Sequence, residues 1–110
     1  MRLTRTSKYR NVKTVVDGIK FHSKAEAKRY GELMLLMRSG DIRDLKLQPV
    51  YELRVAGVLI CKYIADFEYL DLNYPHTETV EDKKGAKTAV YQIKKKLFRA
   101  LYPELRFVES

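Results

Sequence analysis

The stretch Leu59-Ile60-Cys61-Lys62-Tyr63-Ile64-Ala65-Asp66-Phe67-Glu68-Tyr69-Leu70 decides the reading of this chain, because it is strongly β-prone and carries a lone aspartate in an apolar run. Its weak alternation predicts a strand covered on both faces. A carboxylate at Asp66 needs a partner there, since an unpaired buried charge is prohibitive; lysine, backbone amides or a divalent cation could each serve.

Working outward, Thr14 to Phe21 places Asp17-Gly18 between two β-prone runs, a hairpin signal. Ser23 followed by Glu26 is a capping box that opens a helix through about Ser39. Tyr30, Leu33, Met34 and Met37 form its apolar stripe, and Gly40 stops it. Lys46 to Arg54 reads as a strand, with Pro49 at an edge or strand start. Ala56-Gly57 turns the chain into the deciding stretch. Thr77 to Lys84 predicts a further strand, and Thr88 to Leu101 a second helix with Val90, Ile93, Leu97 and Leu101 buried. Leu105 to Val108 predicts a last strand. The order is ribbon, α, β, β, β, α, β. Short loops make the three middle strands an antiparallel meander, and the second helix brings the last strand in parallel, giving a mixed α+β sheet between two helices.

The 110 residues predict one domain: a basic arm over 1–13, a β-hairpin over 14–22 and a core over 23–110. No stretch has the length of a membrane span and no signal-peptide core follows Met1, so a cytoplasmic protein without a membrane partner is expected. Cys61 stands alone, which excludes an internal disulfide and a thiolate metal site. The net charge of +8 favours a polyanionic partner over a small-molecule cofactor. The excess lies in the arm, through Arg2, Arg5, Lys8, Arg10 and Lys13, and around the second helix.

The segment Val80-Glu81-Asp82-Lys83-Lys84-Gly85 supplies the remaining chemistry. Period two sets either Glu81 with Lys83 or Asp82 with Lys84 on one face, and a meander brings one pair beside Asp66. Two carboxylates suit a hard divalent ion such as Mg²⁺, and an ammonium beside it can orient a water and neutralise developing charge, as phosphodiester hydrolysis requires. Glu26 is a candidate accessory acid. Gln48 could position water or backbone phosphate, and Gln92 or Lys95 could reach the reacting phosphate from the helix face opposite Val90, Ile93 and Leu97.

Glu26 on a first helix, Asp66 on a core strand, an acid-x-Lys on the next and a basic helix after it resemble the PD-(D/E)XK nuclease superfamily, the restriction-endonuclease-like fold. More closely, Phe21-His22-Ser23-Lys24-Ala25-Glu26-Ala27, Leu47-Gln48-Pro49, Ala65-Asp66-Phe67-Glu68-Tyr69 and Glu81-Asp82-Lys83-Lys84-Gly85 resemble small, mostly phage-encoded nuclease-like proteins, over residues 9 to 103. The superfamily's Pro is Ala65 here. The resemblance implies an αβββαβ core and a Mg²⁺- or Mn²⁺-dependent endonuclease acting on DNA, often as a homodimer, in a bacterial host cell if phage-encoded. Branched or recombination intermediates are candidate substrates. The phage pattern Glu-Asp-x-Lys-Gly aligns Asp82 and Lys84 with the acid and the lysine. Asp66, Asp82 and, as second choice, Glu81 are then the metal ligands, with Glu26, Asp66, Asp82 and Lys84 as the catalytic set. DNA contacts are expected from Arg5, Lys8, Arg10, Gln48, Gln92 and Lys95, with a non-catalytic DNA-binding module on the same fold as the alternative.

Overall fold

The structure is a computed structural model describing residues 14–74, 77–83 and 88–110. The arm residues Arg5, Lys8 and Arg10, and Lys84 with Gly85, lie outside the described residues.

β1 (Thr14–Val16) and β2 (Ile19–Phe21) pair antiparallel with Val16 opposite Ile19. Asp17 and Gly18 both take positive φ, as the tight two-residue hairpin demands. α1 (Lys24–Ser39) starts at Ser23, whose Oγ accepts from the Glu26 amide at 3.1 Å. Glu26 Oε1 accepts from the amide of His22, one residue earlier than a reciprocal box requires. Gly40, at φ 86°, ends the helix, and the amides of Gly40 and Asp41 turn back onto carbonyls of its last turn.

The stretches read as single long strands are each broken once. β3 (Ile42–Leu47) and β4 (Val50–Val55) flank Gln48-Pro49, while β5 (Val58–Ile64) and β6 (Phe67–Asp71) flank Ala65-Asp66. β3 pairs with β6 and β4 with β5, and the break is bridged by Gln48 N–H to Asp66 O and Ala65 N–H to Pro49 O. Together they form one long, bent antiparallel ribbon. Gln48 at φ 52° and the proline's missing donor explain the bend in one strand.

In the other strand the alternation itself slips. Ala65 packs with Leu53, Tyr63 and Phe98, whereas Phe67, two residues on, packs with Phe21, Tyr30 and Leu33. The alternation is interrupted at Asp66, a bend that the opposite strand matches at Gln48-Pro49: Leu47 pairs with Phe67 and Val50 with Ile64, so both strands turn together and neither gains a residue.

β7 (Glu78–Asp82) pairs antiparallel with β6, and β8 (Arg106–Glu109) pairs parallel with β7 after α2 (Ala89–Leu101), so the main sheet runs β3-β6-β7-β8. Among the described residues the fold is mixed α+β, with a mixed sheet and two helices, and each helix covers its own core cluster. Among the described residues no helix is long and apolar enough to cross a membrane.

Two burial expectations fail. β5 is not covered on both faces, because Val58, Ile60 and Ile64 are exposed. On α2, Val90 is 64 % and Ile93 66 % exposed, Leu101 is exposed as well, and Tyr91 and Phe98 are buried in their place. Aromatic side chains bury about 150–250 Å² each, so Tyr91, Phe98 and Tyr102 outweigh the aliphatic stripe in setting the helix's rotation. Phe98 sits 5.0 Å from the Tyr63 ring and 4.8 Å from the Tyr51 ring.

Candidate active site

The site is built where the β5–β6 break meets the end of β7. At the break, Asp66 is only partly buried, and its Oδ2 accepts from the backbone N–H of Lys83 at 2.6 Å. This ties the aspartate to the middle of the Glu81-Asp82-Lys83-Lys84 segment. Strand alternation then separates the two neighbouring acids.

Glu81, 1 % exposed, meets α1. Arg29 donates to it through Nε at 2.5 Å and Nη2 at 3.0 Å, and the Tyr69 hydroxyl donates at 2.7 Å. The bidentate fork raises the Arg29 guanidinium above its ordinary range, chiefly through the Glu81 hydrogen bonds. Burial, and then Glu81, pushes the Tyr69 phenol up to about 12. Arg29, Glu32 and Lys83 also border two adjoining clefts of about 210 and 190 Å³, with Lys28 on one of them.

Asp82, 0 % exposed, meets the α2 cluster, and the Tyr63 hydroxyl donates to its Oδ2. Burial raises the Tyr63 phenol, with Asp82 the next cause. In the parallel register Asp82 lies beside Glu109, which accepts from the Tyr91 hydroxyl and, at 3.2 Å, from Lys95 Nζ. Burial and Glu109 together raise the Tyr91 phenol.

The remaining sequence-derived residues fall as follows. Glu26 is buried on α1, and its Oε2 has no hydrogen-bond partner among the described residues. Gln48 is exposed at the bend and joined to Asp66 through the backbone. Gln92 is half-buried, while Lys95 is turned inward onto Glu109 with its ammonium 5.7 Å from the Tyr91 ring centroid. The face read as outward is therefore the packed one.

Arg29, Tyr63, Tyr69 and Glu109 belong to this constellation and carry no local sequence signal. Arg29 and Glu81 are 52 residues apart, and only the β7–β8 register places Glu109 beside Asp82.

Among the described residues no group of three His, Cys, Asp or Glu side chains is gathered to hold a metal ion. Mg²⁺ is commonly bound through one or two carboxylates, completing its octahedron with water and phosphate oxygens. The Asp66 and Asp82 carboxylates and Glu26 Oε2 are hard oxygen donors of the kind such an ion takes, with Glu26 on the α1 side of the sheet and Asp82 on the α2 side.

Fold and site define a mixed α+β domain with Asp66 at a break beside its sheet and buried carboxylates on the two faces of the neighbouring strand. The chain belongs to the family described as "Protein of unknown function (DUF1064)", whose model matches residues 6–109. No curated protein and no solved structure matches it.

Proposed function

We propose that the chain is a metal-dependent endodeoxyribonuclease that hydrolyses DNA phosphodiester bonds. The observation that carries the reading is the place of Asp66 at the β5–β6 break. The break in the strand sets a carboxylate against the backbone of an acid–Lys–Lys segment.

Asp66 and Asp82 would hold Mg²⁺ or Mn²⁺, which supplies a polarised phosphate and an activated water when bound. Lys84 neutralises charge on the phosphate or orients the water, and Glu26 is the accessory acid. Glu81 serves the fold instead, because Arg29 and Tyr69 already take up its carboxylate. Gln48, at the bend next to Asp66, is positioned to meet water or the DNA backbone. The arm residues Arg5, Lys8 and Arg10 supply sequence-independent phosphate contacts, with affinity that falls steeply as salt rises.

The closed Glu81–Arg29 pair and the full burial of Asp82 favour a second reading, a non-catalytic DNA-binding module on the same scaffold. A cleavage assay with Mg²⁺ and Mn²⁺ on linear, nicked, flapped and four-way DNA separates the two. Metal-dependent cleavage of at least one substrate, lost in Asp66→Ala, supports the nuclease. Binding without cleavage on every substrate and with either metal supports the module.

A further inference from the structure

The cleft of about 210 Å³ between α1 and the end of β7 is lined by Ala25, Lys28, Arg29, Glu32 and Lys83, so three of its five side chains are cationic. Among the described residues no carboxylate forms an ion pair with the Lys28 or the Lys83 ammonium. Arg29 is placed differently. Its Nε and Nη2 engage the buried Glu81, which leaves Nη1 as the nitrogen turned toward the cleft.

Glu32 shows what this arrangement attracts. Its exposed carboxylate accepts from Arg29 Nη1 at 3.0 Å. That hydrogen bond, and then the charges of Arg29, Lys28 and Lys83, hold the Glu32 carboxyl below its ordinary value. An anion from the chain itself is thus drawn to the meeting point of three cations. A phosphate oxygen could make the same charge-assisted contact with Arg29 and bring charge to the two unpaired lysines.

The location suits a polyanion that passes the candidate site. The Lys83 amide donates to Asp66 Oδ2 at 2.6 Å while the Lys83 side chain lines the cleft, so one residue joins the Asp66 carboxylate to the cations. Lys24, exposed one helical turn before Lys28, extends the positive edge. Lys95, the helix cation expected to reach the phosphate, is instead held by Glu109.

We propose that the cleft between Lys28, Arg29 and Lys83 is a subsite for a backbone phosphate of DNA held against the candidate site, and that Glu32 fills it until DNA arrives. The identity of the polyanion rests on the proposed function. The contact itself carries no sequence information, because it reads charge alone.

The test is fluorescence anisotropy of a labelled DNA duplex with the whole chain in EDTA, where binding is read without cleavage, over a range of salt concentrations. One phosphate contact contributes about 0.9 to the salt slope, which at about 0.1 M salt is roughly eightfold in affinity. Lys28→Ala should therefore bind roughly five to ten times more weakly than wild type, with the slope lower by about 0.9. Lys83→Ala keeps the backbone amide that holds Asp66 and should show the same loss. Glu32→Gln should bind about threefold more tightly, because Arg29 Nη1 is released to the phosphate. Arg38→Ala removes the same charge ten residues further along α1, about 15 Å away, and should change affinity by less than about twofold, since that exceeds a Debye length at about 0.1 M salt. Lys28, Glu32 and Arg38 are exposed, so melting temperatures should match wild type.

Binding by wild type, with Lys28→Ala losing no more than Arg38→Ala, overturns the subsite and leaves the DNA reading standing. Glu32→Gln binding no more tightly than wild type overturns Glu32 as the resident anion. Displacement of the duplex by ATP at constant ionic strength, from wild type but not from Lys28→Ala, makes a free nucleotide the occupant. No DNA binding by wild type at any salt concentration overturns the subsite together with the DNA reading. Cleavage enters none of these measurements, so failure of the nuclease assay is a separate result.

Discussion

Replacing Arg29 by Leu tests how the polar layer under the sheet is held. Glu81 is 1 % exposed and accepts two bonds from the guanidinium, which is itself about a quarter exposed. Hydrogen bonds to charged groups contribute roughly 1.5–3 kcal/mol each, and breaking a fully buried pair costs about 3–5 kcal/mol. Here Tyr69 still donates to Glu81, and the exposed edge of Arg29 lets water enter, so the expected loss is about 2–4 kcal/mol. For a domain of this size that lowers the melting temperature by roughly 10–20 °C.

The loss is nearly independent of pH between about 5 and 9. A base whose folded pKa is raised gives its full stabilisation below the ordinary value and loses it only as pH climbs past that value, which for a guanidinium lies far above this range. Urea denaturation of wild type, Arg29→Leu, Glu81→Leu and the double variant closes the cycle. The double variant should recover most of the loss, since an apolar pair of similar volume replaces a buried ion pair at little net cost. A single-variant loss under about 1 kcal/mol, or a double variant no better than Arg29→Leu, would refute the assignment of Glu81 as a carboxylate kept buried by Arg29.

Further outcomes follow from the same geometry. Tyr69 contributes stability that is whole below the ordinary phenol value of 10 and lost as pH rises toward 12. Alkaline denaturation should therefore steepen above pH 10, and Tyr69→Phe should flatten the slope by up to about 1.4 kcal/mol per pH unit. Burial first, and then the charge of Glu68, raise the Glu78 carboxyl, so its ionisation opposes folding. Glu78→Gln should be slightly more stable than wild type at neutral pH, a small effect because solvent screens this side chain, and the advantage disappears as pH falls below the ordinary carboxylate range and wild-type Glu78 is protonated in both states. Asp82→Asn keeps an acceptor for the Tyr63 hydroxyl, so it should fold like wild type by circular dichroism yet lose cleavage. The Arg29→Leu/Glu81→Leu double variant should keep cleavage, and the reverse pattern would move the metal site to Glu81.

Elements with local chemical signals were legible in the sequence. Asp17-Gly18, the Ser23 cap, Gly40 and the Thr88 start of α2 each act within a few residues, and all stand where spacing puts them. What escaped depends on long-range packing. The Leu59–Leu70 run gave no sign that the strand would bend at Ala65-Asp66, because the bend is made jointly with Gln48-Pro49 on the partner strand. The α2 stripe was misread because two candidate faces exist on that helix. The aromatic one wins by area and by tyrosine hydroxyls that find Glu109 and the Glu52 carbonyl. In the site, Asp66 beside the acid–lysine segment was foreseeable from strand order, whereas the separation of Glu81 and Asp82 onto opposite core clusters required knowing which helix covers which face.

The most direct measurement is cleavage of supercoiled plasmid by wild type and Asp66→Ala, with and without Mg²⁺ or Mn²⁺, at protein concentrations giving equal DNA binding in a gel shift. The account predicts nicking by wild type that requires the metal, and none by Asp66→Ala although it binds DNA at least as well, since a repelling carboxylate has been removed. Equal nicking by the two proteins, or none by either, would contradict it.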